Sequence, residues 1–333
     1  MTQPVFSVII LAFNQENYIS RAIESCLKQD FADYELIIVD DGSTDGTRNI
    51  IDEYRAKYKN IFLQAHPENL SSHVARCSGV EAAHGKYILF LDGDDSFCEG
   101  AFKTLYDELI CKETFDVAEF SYVLDPGNTV VNPDENGLIS KRIEYFKNMD
   151  TCTTIWNKLY ETEFLKKSFA KMKKIYINMA DDIYESICIA YYTEKYIQSR
   201  ICIVKYTVGT GVSTMKHSLE DNRRNCKSIS TVLHAINLFC QENDVLDYTA
   251  IMDATQKHLI SFMLQRIRFH TFPDDACASY MLLIKVFSEE NLLPFFRVLY
   301  DDALKYRNGS FSFKNFMKNK FGQIKNIIKN KCC

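Results

Sequence analysis

The residues of this 333-residue chain that could do chemistry are carboxylates placed directly after apolar runs. Asp92-Gly93-Asp94-Asp95 follows Tyr87 to Leu91 (YILFL), and Asp40-Asp41-Gly42-Ser43 follows Glu35 to Val39 (ELIIV). An Asp-X-Asp on a Gly-assisted turn crowds two carboxylates, and keeping both ionised is costly without a cation. Mg²⁺ or Mn²⁺ takes oxygen ligands and completes its shell with diphosphate oxygens, so the pattern points to a metal-diphosphate site; an ordinary acidic turn is the bland alternative. A carboxylate at the end of the second run can accept hydrogen bonds from a base N–H or a ribose hydroxyl. Its bland reading is helix capping by Asp45 beside turn glycines, and capping by Asp45 is compatible with ligand binding by Asp41. A third acidic pair, Asp181-Asp182, opens a helical pattern, where acidic side chains also suit the positive end of a helix dipole.

The elements that must position these groups are legible as periodicity. Ser7 to Ala12, Glu35 to Val39, Ile61 to Gln64 and Tyr87 to Leu91 are short apolar runs that read as strands. Between them, Tyr18 to Lys28, Thr47 to Tyr58 and Ser72 to Ala83 carry apolar residues at three- and four-residue spacing, with Asp45 or Thr47 as N-caps. Continuous apolar strands joined by helix-length crossovers mean an α/β fold, a mainly parallel sheet flanked by helices. Ligands bind such sheets at the carboxyl ends of the strands, which is where the acidic loops fall. Further on, a strand is expected at Val117 to Tyr122, a loop from Asp125 to Gly137 and a helix from Asp182 to Tyr192. Beyond Ser218 the chain reads helical, which sets domains of 1–217 and 218–333.

Composition narrows the class. With 47% hydrophobic residues the chain can bury a full core. The twelve cysteines form no CxxC pair and no Cys/His ligand spacing, so they read as idle thiols of a reducing cytosol. No basic leader opens the sequence and no run approaches the length needed to span a bilayer, so a soluble or peripheral protein is expected. The net charge of −5 includes a tail, 305–333, with eight Lys/Arg and no acidic residue. The acidic remainder speaks against a nucleic-acid partner.

Taken together, SVIILAFNQENYISRAIESCLKQ, YELIIVDDGSTDGT, ENLSSHVARCSGVEAAHGKYILFLDGDD, TIWNKLYETEFLKK and ADDIYES resemble family 2 of the inverting nucleotide-sugar glycosyltransferases over about the first 215 residues. The resemblance implies a GT-A fold, a nucleotide-sugar donor, with a UDP-sugar first, and a Mn²⁺ or Mg²⁺ cofactor. It implies that Phe13, Asn14 and Asp41 meet the nucleobase and ribose, that Asn69 and Arg76 steady the nucleotide and its phosphates, that Asp92 contacts the ribose or sugar and that Asp94 holds the metal. An acceptor hydroxyl is a poor nucleophile until it loses its proton, and the family's acidic pair supplies the base. Here that is Asp182, with Asp181 the second choice because the pair is Asp-Asp instead of Glu-Asp. His217 is the downstream candidate for the metal shell. The chain departs from the family at Leu70 and Cys77.

The same resemblance implies a cytoplasmic enzyme that adds sugar to a glycan or lipid-linked acceptor in capsule, lipopolysaccharide or similar surface-glycan synthesis. Trp156, the only tryptophan, is a candidate sugar-stacking residue or a core residue. The basic tail, with Phe311, Phe313, Phe316, Phe321, Ile324, Ile327 and Ile328, suits an amphipathic helix on an anionic membrane or one packed on the protein. A sugar-phosphate nucleotidyltransferase would need a Gly-rich basic loop where this chain has Phe13-Asn14-Gln15-Glu16. A catalytically inactive nucleotide-sugar-binding or membrane-associated scaffold is the non-enzymatic alternative.

Overall fold

The computed structural model describes residues 3–133, 142–147, 153–210, 217–271 and 273–287. The basic tail lies outside them. The order begins β1 (Phe6–Ala12), α1 (Ile19–Leu27), β2 (Tyr34–Asp40), α2 (Thr47–Lys57), β3 (Ile61–Ala65), α3 (Ser72–Ala82) and β4 (Tyr87–Asp92). These seven elements fall where the apolar spacing puts them. β1, β2 and β4 are buried almost throughout, because helices cover both faces of the sheet and leave no solvent side for polar alternation.

The chain continues through β5 (Ser96–Phe97), α4 (Ala101–Leu105), β6 (Val117–Asp125), β7 (Thr129–Val131), β8 (Lys158–Glu161), α5 (Thr162–Phe169), α6 (Asp181–Tyr192) and β9 (Tyr196–Thr207). All strands join one sheet in the order β3-β2-β1-β4-β8-β6-β9-β5, with β7 paired to β6. The first four strands are parallel, as expected. The second half is mixed: β8 runs antiparallel to both β4 and β6, β5 antiparallel to β9, and only β6 and β9 are parallel. Short strands such as β8 can enter antiparallel because no helix-length crossover dictates their direction. The expected loop after Asp125 holds β7, whose Thr-Val-Val is β-branched and pairs back on β6 as a hairpin.

The described residues fall into two compact units, 3–210 with Lys227–Gln256 and 217–226 with 257–287. The core of the first is built on Val8, Ile10, Leu36, Ile38, Leu89 and Leu91, packed by Ile19 and Ile23 of α1 and Phe102 of α4. Helices α7 (Leu219–Glu242), α8 (Tyr248–His270) and α9 (Pro273–Val286) provide the expected helical C-terminal region. In the second unit Asn222 donates from Nδ2 to the hydroxyls of Thr271 (2.9 Å) and Ser279 (3.0 Å).

Candidate functional site

The turns that follow β1 and β2 are tied to one another. Asn14 adopts a positive φ of 53°, its amide donates to Ser43 Oγ (3.0 Å), and its Oδ1 accepts the Thr44 amide (2.8 Å). Phe13 beside it is 42% exposed, although aromatic side chains usually hide more of their surface. The helix α2 begins after Gly46, not after a side-chain cap, yet Asp45 still accepts the Thr47 amide (3.0 Å) and that of Glu16 (3.1 Å).

Asp41 is buried and saturated. Its Oδ1 meets His66 Nδ1 (2.6 Å) and the Leu70 amide (2.9 Å), and its Oδ2 accepts the Ser71 amide (2.9 Å). His66 reaches Ser78 Oγ through its other ring nitrogen at 2.9 Å. Gly42, at φ +75°, makes room for this loop: a Cβ there would stand 2.7 Å from the Asn69 amide nitrogen. Asn69 in turn accepts the Tyr176 hydroxyl at 3.4 Å. What the structure shows of Asp41 is therefore anchorage of the loop that carries Asn69.

The loop after β4 is the opposite case. Gly93 lies so close to β1 that a Cβ would stand 2.8 Å from the Leu11 carbonyl oxygen. The Asp94 carboxylate accepts the Thr210 hydroxyl (2.9 Å), and its backbone carbonyl accepts the Arg21 guanidinium, which also donates to Thr207 Oγ1 (2.6 Å). Asp95, left without a role by the sequence, accepts the Thr207 amide (2.7 Å) and so pins the loop to the end of β9. Its buried Oδ2 has no hydrogen-bond partner. Burial, moderated by Arg76 and reinforced by the Asp94 and Asp181 charges, lifts Asp92 to about 6. Burial and the Asp92 charge lift Asp95 to about 8.

Such carboxylates fit a divalent cation. An orphaned buried oxygen and crowded negative charge are relieved together when one enters. Among the described residues no three His, Cys, Asp or Glu side chains form a ready ligand set. Asp92 and Asp94 could hold the ion only with further oxygens, which a diphosphate would bring. His217 belongs to the second unit, where it is buried and forms an isolated bridge with Thr271.

The acidic pair at the start of α6 is divided by its partners. Asp181 accepts the Ser72 hydroxyl (2.5 Å) and Arg76 Nη1 (2.6 Å). Burial alone would raise Asp181, but the Arg76 charge and the Ser72 hydrogen bond bring it below the usual carboxylate value. Among the described residues Asp182 meets the Thr153 hydroxyl (3.3 Å) and the Ile183 amide (2.9 Å), and burial plus the adjacent Asp181 charge push it up to about 7.

Arg76 also meets Glu185 (3.1 Å), whose other oxygen faces His73 Nδ1 (2.8 Å). The second ring nitrogen of His73 faces the Lys173 carbonyl (3.0 Å), so both nitrogens are aimed at acceptors. Burial works against a charged imidazole, but the contacts with Cys77 and Glu185 hold His73 up at about 10. The Arg76 guanidinium is thus committed to Asp181 and Glu185, with its charge also acting on Asp92. Sequence reading missed Ser72, His73 and Glu185. Helical spacing could have found them: Asp181 and Glu185 are four apart, and His73 and Arg76 three apart, each pair on one helix face.

A sheet whose first strands are parallel, with a carboxylate turn after β4 and an acidic helix start bound to α3, defines the GT-A class of nucleotide-sugar folds. Residues 7–175 match the description Glycosyl transferase family 2, and the chain belongs to that family. It is 31% identical over 179 residues to the putative glycosyltransferase EpsH of Bacillus subtilis (strain 168), covering 50% of this chain and 49% of EpsH. It is 41% identical over 95 residues to the putative teichuronic acid biosynthesis glycosyltransferase TuaG of the same organism, covering 28% of this chain and 38% of TuaG. The chain therefore spans about half or less of the length of these relatives. S. aureus TarS 1-349 superposes with a TM-score of 0.61 at 18% identity, over 90% of this chain and 88% of that one. Its complex with UDP-GlcNAc superposes with a TM-score of 0.59 at 20% identity, again over 90% and 88%. At such identities the likeness shows the fold.

Proposed function

We propose that the chain is an inverting glycosyltransferase that moves a sugar from a nucleotide-sugar, a UDP-sugar first, to a hydroxyl of a glycan or lipid-linked acceptor in surface-polysaccharide synthesis. The observation that carries the reading is the division of the acidic pair. Asp181 is neutralised by Arg76 and Ser72, while Asp182 is left with weak partners and a proton affinity near neutrality. A base works best when its pKa lies near the operating pH, which favours Asp182 over Asp181.

In this mechanism the Asp182 carboxylate takes the acceptor hydroxyl's proton as that oxygen bonds to the anomeric carbon. The bond from the anomeric carbon to the diphosphate oxygen breaks on the opposite face, which inverts the centre. Asp94, with Asp92 beside it, would hold Mn²⁺ or Mg²⁺, which when bound neutralises charge on the leaving nucleoside diphosphate. Phe13, Asn14 and the Asn69 loop held by Asp41 would seat the nucleoside. Arg76 would fix Asp181 and lend its charge to Asp92 and the phosphates.

The UDP-GlcNAc complex of TarS and the teichuronic acid role in the name of TuaG support the donor and acceptor classes. No helix of the described residues is long and apolar enough to cross a membrane, and the basic tail is the candidate contact with an anionic bilayer at the inner face of the cell membrane. The test is donor turnover: with Mn²⁺, the purified chain should release nucleoside diphosphate, and Asp94→Ala and Asp182→Asn should each abolish the release. Normal turnover in both variants would overturn the assignment.

A further inference from the structure

Trp156 packs against the core of the first unit, and it does not stand alone. Its ring stacks on Tyr206 of β9, with centroids 5.2 Å apart and planes 13° apart. Tyr122 of β6 meets Trp156 edge-on at 4.8 Å and 78°, and meets Tyr206 at 6.4 Å and 69°. The register explains the meeting: Tyr122 pairs with Val204 and Leu124 with Tyr206, so the two tyrosines lie on the same side of adjacent strands. Crossing both neighbours at a steep angle, Tyr122 fixes the tilt of the stacked pair.

The cluster differs from the core aromatics. Phe6, Phe90, Phe102, Phe120 and Tyr160 are sealed, whereas Tyr122, Trp156 and Tyr206 each keep part of their surface in solvent. Its chain neighbours grip both catalytic flanks. Tyr206 directly precedes Thr207, whose amide holds Asp95 at 2.7 Å. Trp156 follows Thr153 by three residues, and the Thr153 hydroxyl touches Asp182 at 3.3 Å while its carbonyl accepts Ser186 at 2.8 Å. Three extended residues span at most about 10 Å, so Trp156 lies within two sugar-ring widths of the Asp182 partner.

We propose that Tyr122, Trp156 and Tyr206 form the platform on which the pyranose ring of the acceptor stacks; this rests on the reading of the site as one of glycosyl transfer. A pyranose has an apolar C–H face and a hydroxyl rim, which matches an aromatic floor with polar groups at its border. Thr153, three residues from Trp156, bonds to Asp182, and Thr207, next to Tyr206, bonds to Asp95 of the donor loop. An acceptor ring on that floor therefore presents its rim hydroxyls between the base and the donor loop.

The single tryptophan makes the test direct, because indole emission reports this place and no other. Methyl β-glycosides of glucose, galactose, N-acetylglucosamine and N-acetylgalactosamine are titrated into the full chain with UDP and Mn²⁺ present, with glycerol as the solvent control. At least one glycoside should shift or quench the emission saturably, and glycerol should not. Tyr206→Leu keeps apolar bulk but removes the ring face, and should weaken that glycoside about tenfold, while Tyr206→Phe stays within about twofold. In turnover Tyr206→Leu should raise the KM for acceptor more than the KM for donor. Should Tyr206→Leu lose its native circular dichroism, Tyr122→Leu replaces it with the same expectation.

Emission unmoved by all four glycosides, an affinity in the leucine variant equal to that of the unaltered chain, or a rise in donor KM alone would overturn the platform. Slow release of UDP from a nucleotide-sugar to water, with no acceptor present, reads the transfer function separately. Release with silent emission sinks the platform and leaves transfer standing. Saturable quenching without release from any donor sinks the transfer reading, and the platform then stands only as a saccharide-binding surface.

Discussion

Acidic side chains meet two different fates in this protein. Asp41 receives His66 and two amides, and Asp181 and Glu185 share Arg76, so each has its hydrogen bonds supplied by donors of the chain itself. Asp95 is buried and Asp92 and Asp182 are half-buried, none has an ion pair among the described residues, and Asp92, Asp95 and Asp182 are pushed up to about 6, 8 and 7. The first group is structural cement, since a satisfied buried charge stabilises only while its partners remain. The second group costs stability in the free protein, and an undercompensated charge in a cleft is what a site reserves for a ligand. Activity and stability should therefore separate between the two groups.

The largest effect falls on the second group. Asp182→Asn should lower kcat about 10³-fold, the scale of a lost general base, with thermal stability unchanged or slightly higher. Steady-state kinetics beside a melting curve checks both halves. A destabilised but active variant would erase the distinction.

The first group should show the reverse. Glu185→Gln removes the charge between Arg76 and His73 and should cost about 4 kcal/mol in denaturant unfolding, as broken buried ion pairs do. Asp41→Ala removes the acceptor of three donors and should cost about 3 kcal/mol while raising the donor KM, because the Asn69 loop loses its anchor. If either variant unfolds like the unaltered chain, the claim that these carboxylates are cement fails.

The smallest effect is a pH dependence. Below about 7 Asp182 keeps its proton and cannot accept another, so kcat/KM should fall as pH drops through that value. Stability runs the other way. The folded chain binds this proton more tightly than the unfolded chain, so the contribution is complete below the ordinary carboxylate value of 3.8 and is lost as pH rises through about 7. Unfolding curves of Asp182→Asn should show a shallower decline across that window; an unchanged slope would assign the proton elsewhere.

The parts of this scheme that the sequence displayed are those written in short-range order. β1, β2, β4 and α3 follow from apolar periodicity, and the acidic loops follow from strand ends. β7 and β8 did not show because strands of three or four residues carry too little alternation. The mixed half of the sheet stayed hidden for the same reason, since strand direction is set by contacts between distant segments. Family resemblance supplied Asp41 as a base or ribose contact, whereas its visible partners are His66 and the 70–71 amides, a pairing across 25 to 30 residues that no local pattern announces. Asp181 and Asp182 are adjacent and identical in type. Only the placement of Arg76 and Ser72 tells them apart.

The most direct test of the account titrates Mn²⁺ with UDP into the unaltered chain, Asp94→Asn and Asp41→Asn by calorimetry. The unaltered chain should bind UDP about tenfold or more tightly with Mn²⁺ than without, Asp41→Asn should keep that ratio at weaker affinity, and Asp94→Asn should lose it. A Mn²⁺ enhancement that survives in Asp94→Asn would contradict the claim that the loop after β4 is reserved for a cation.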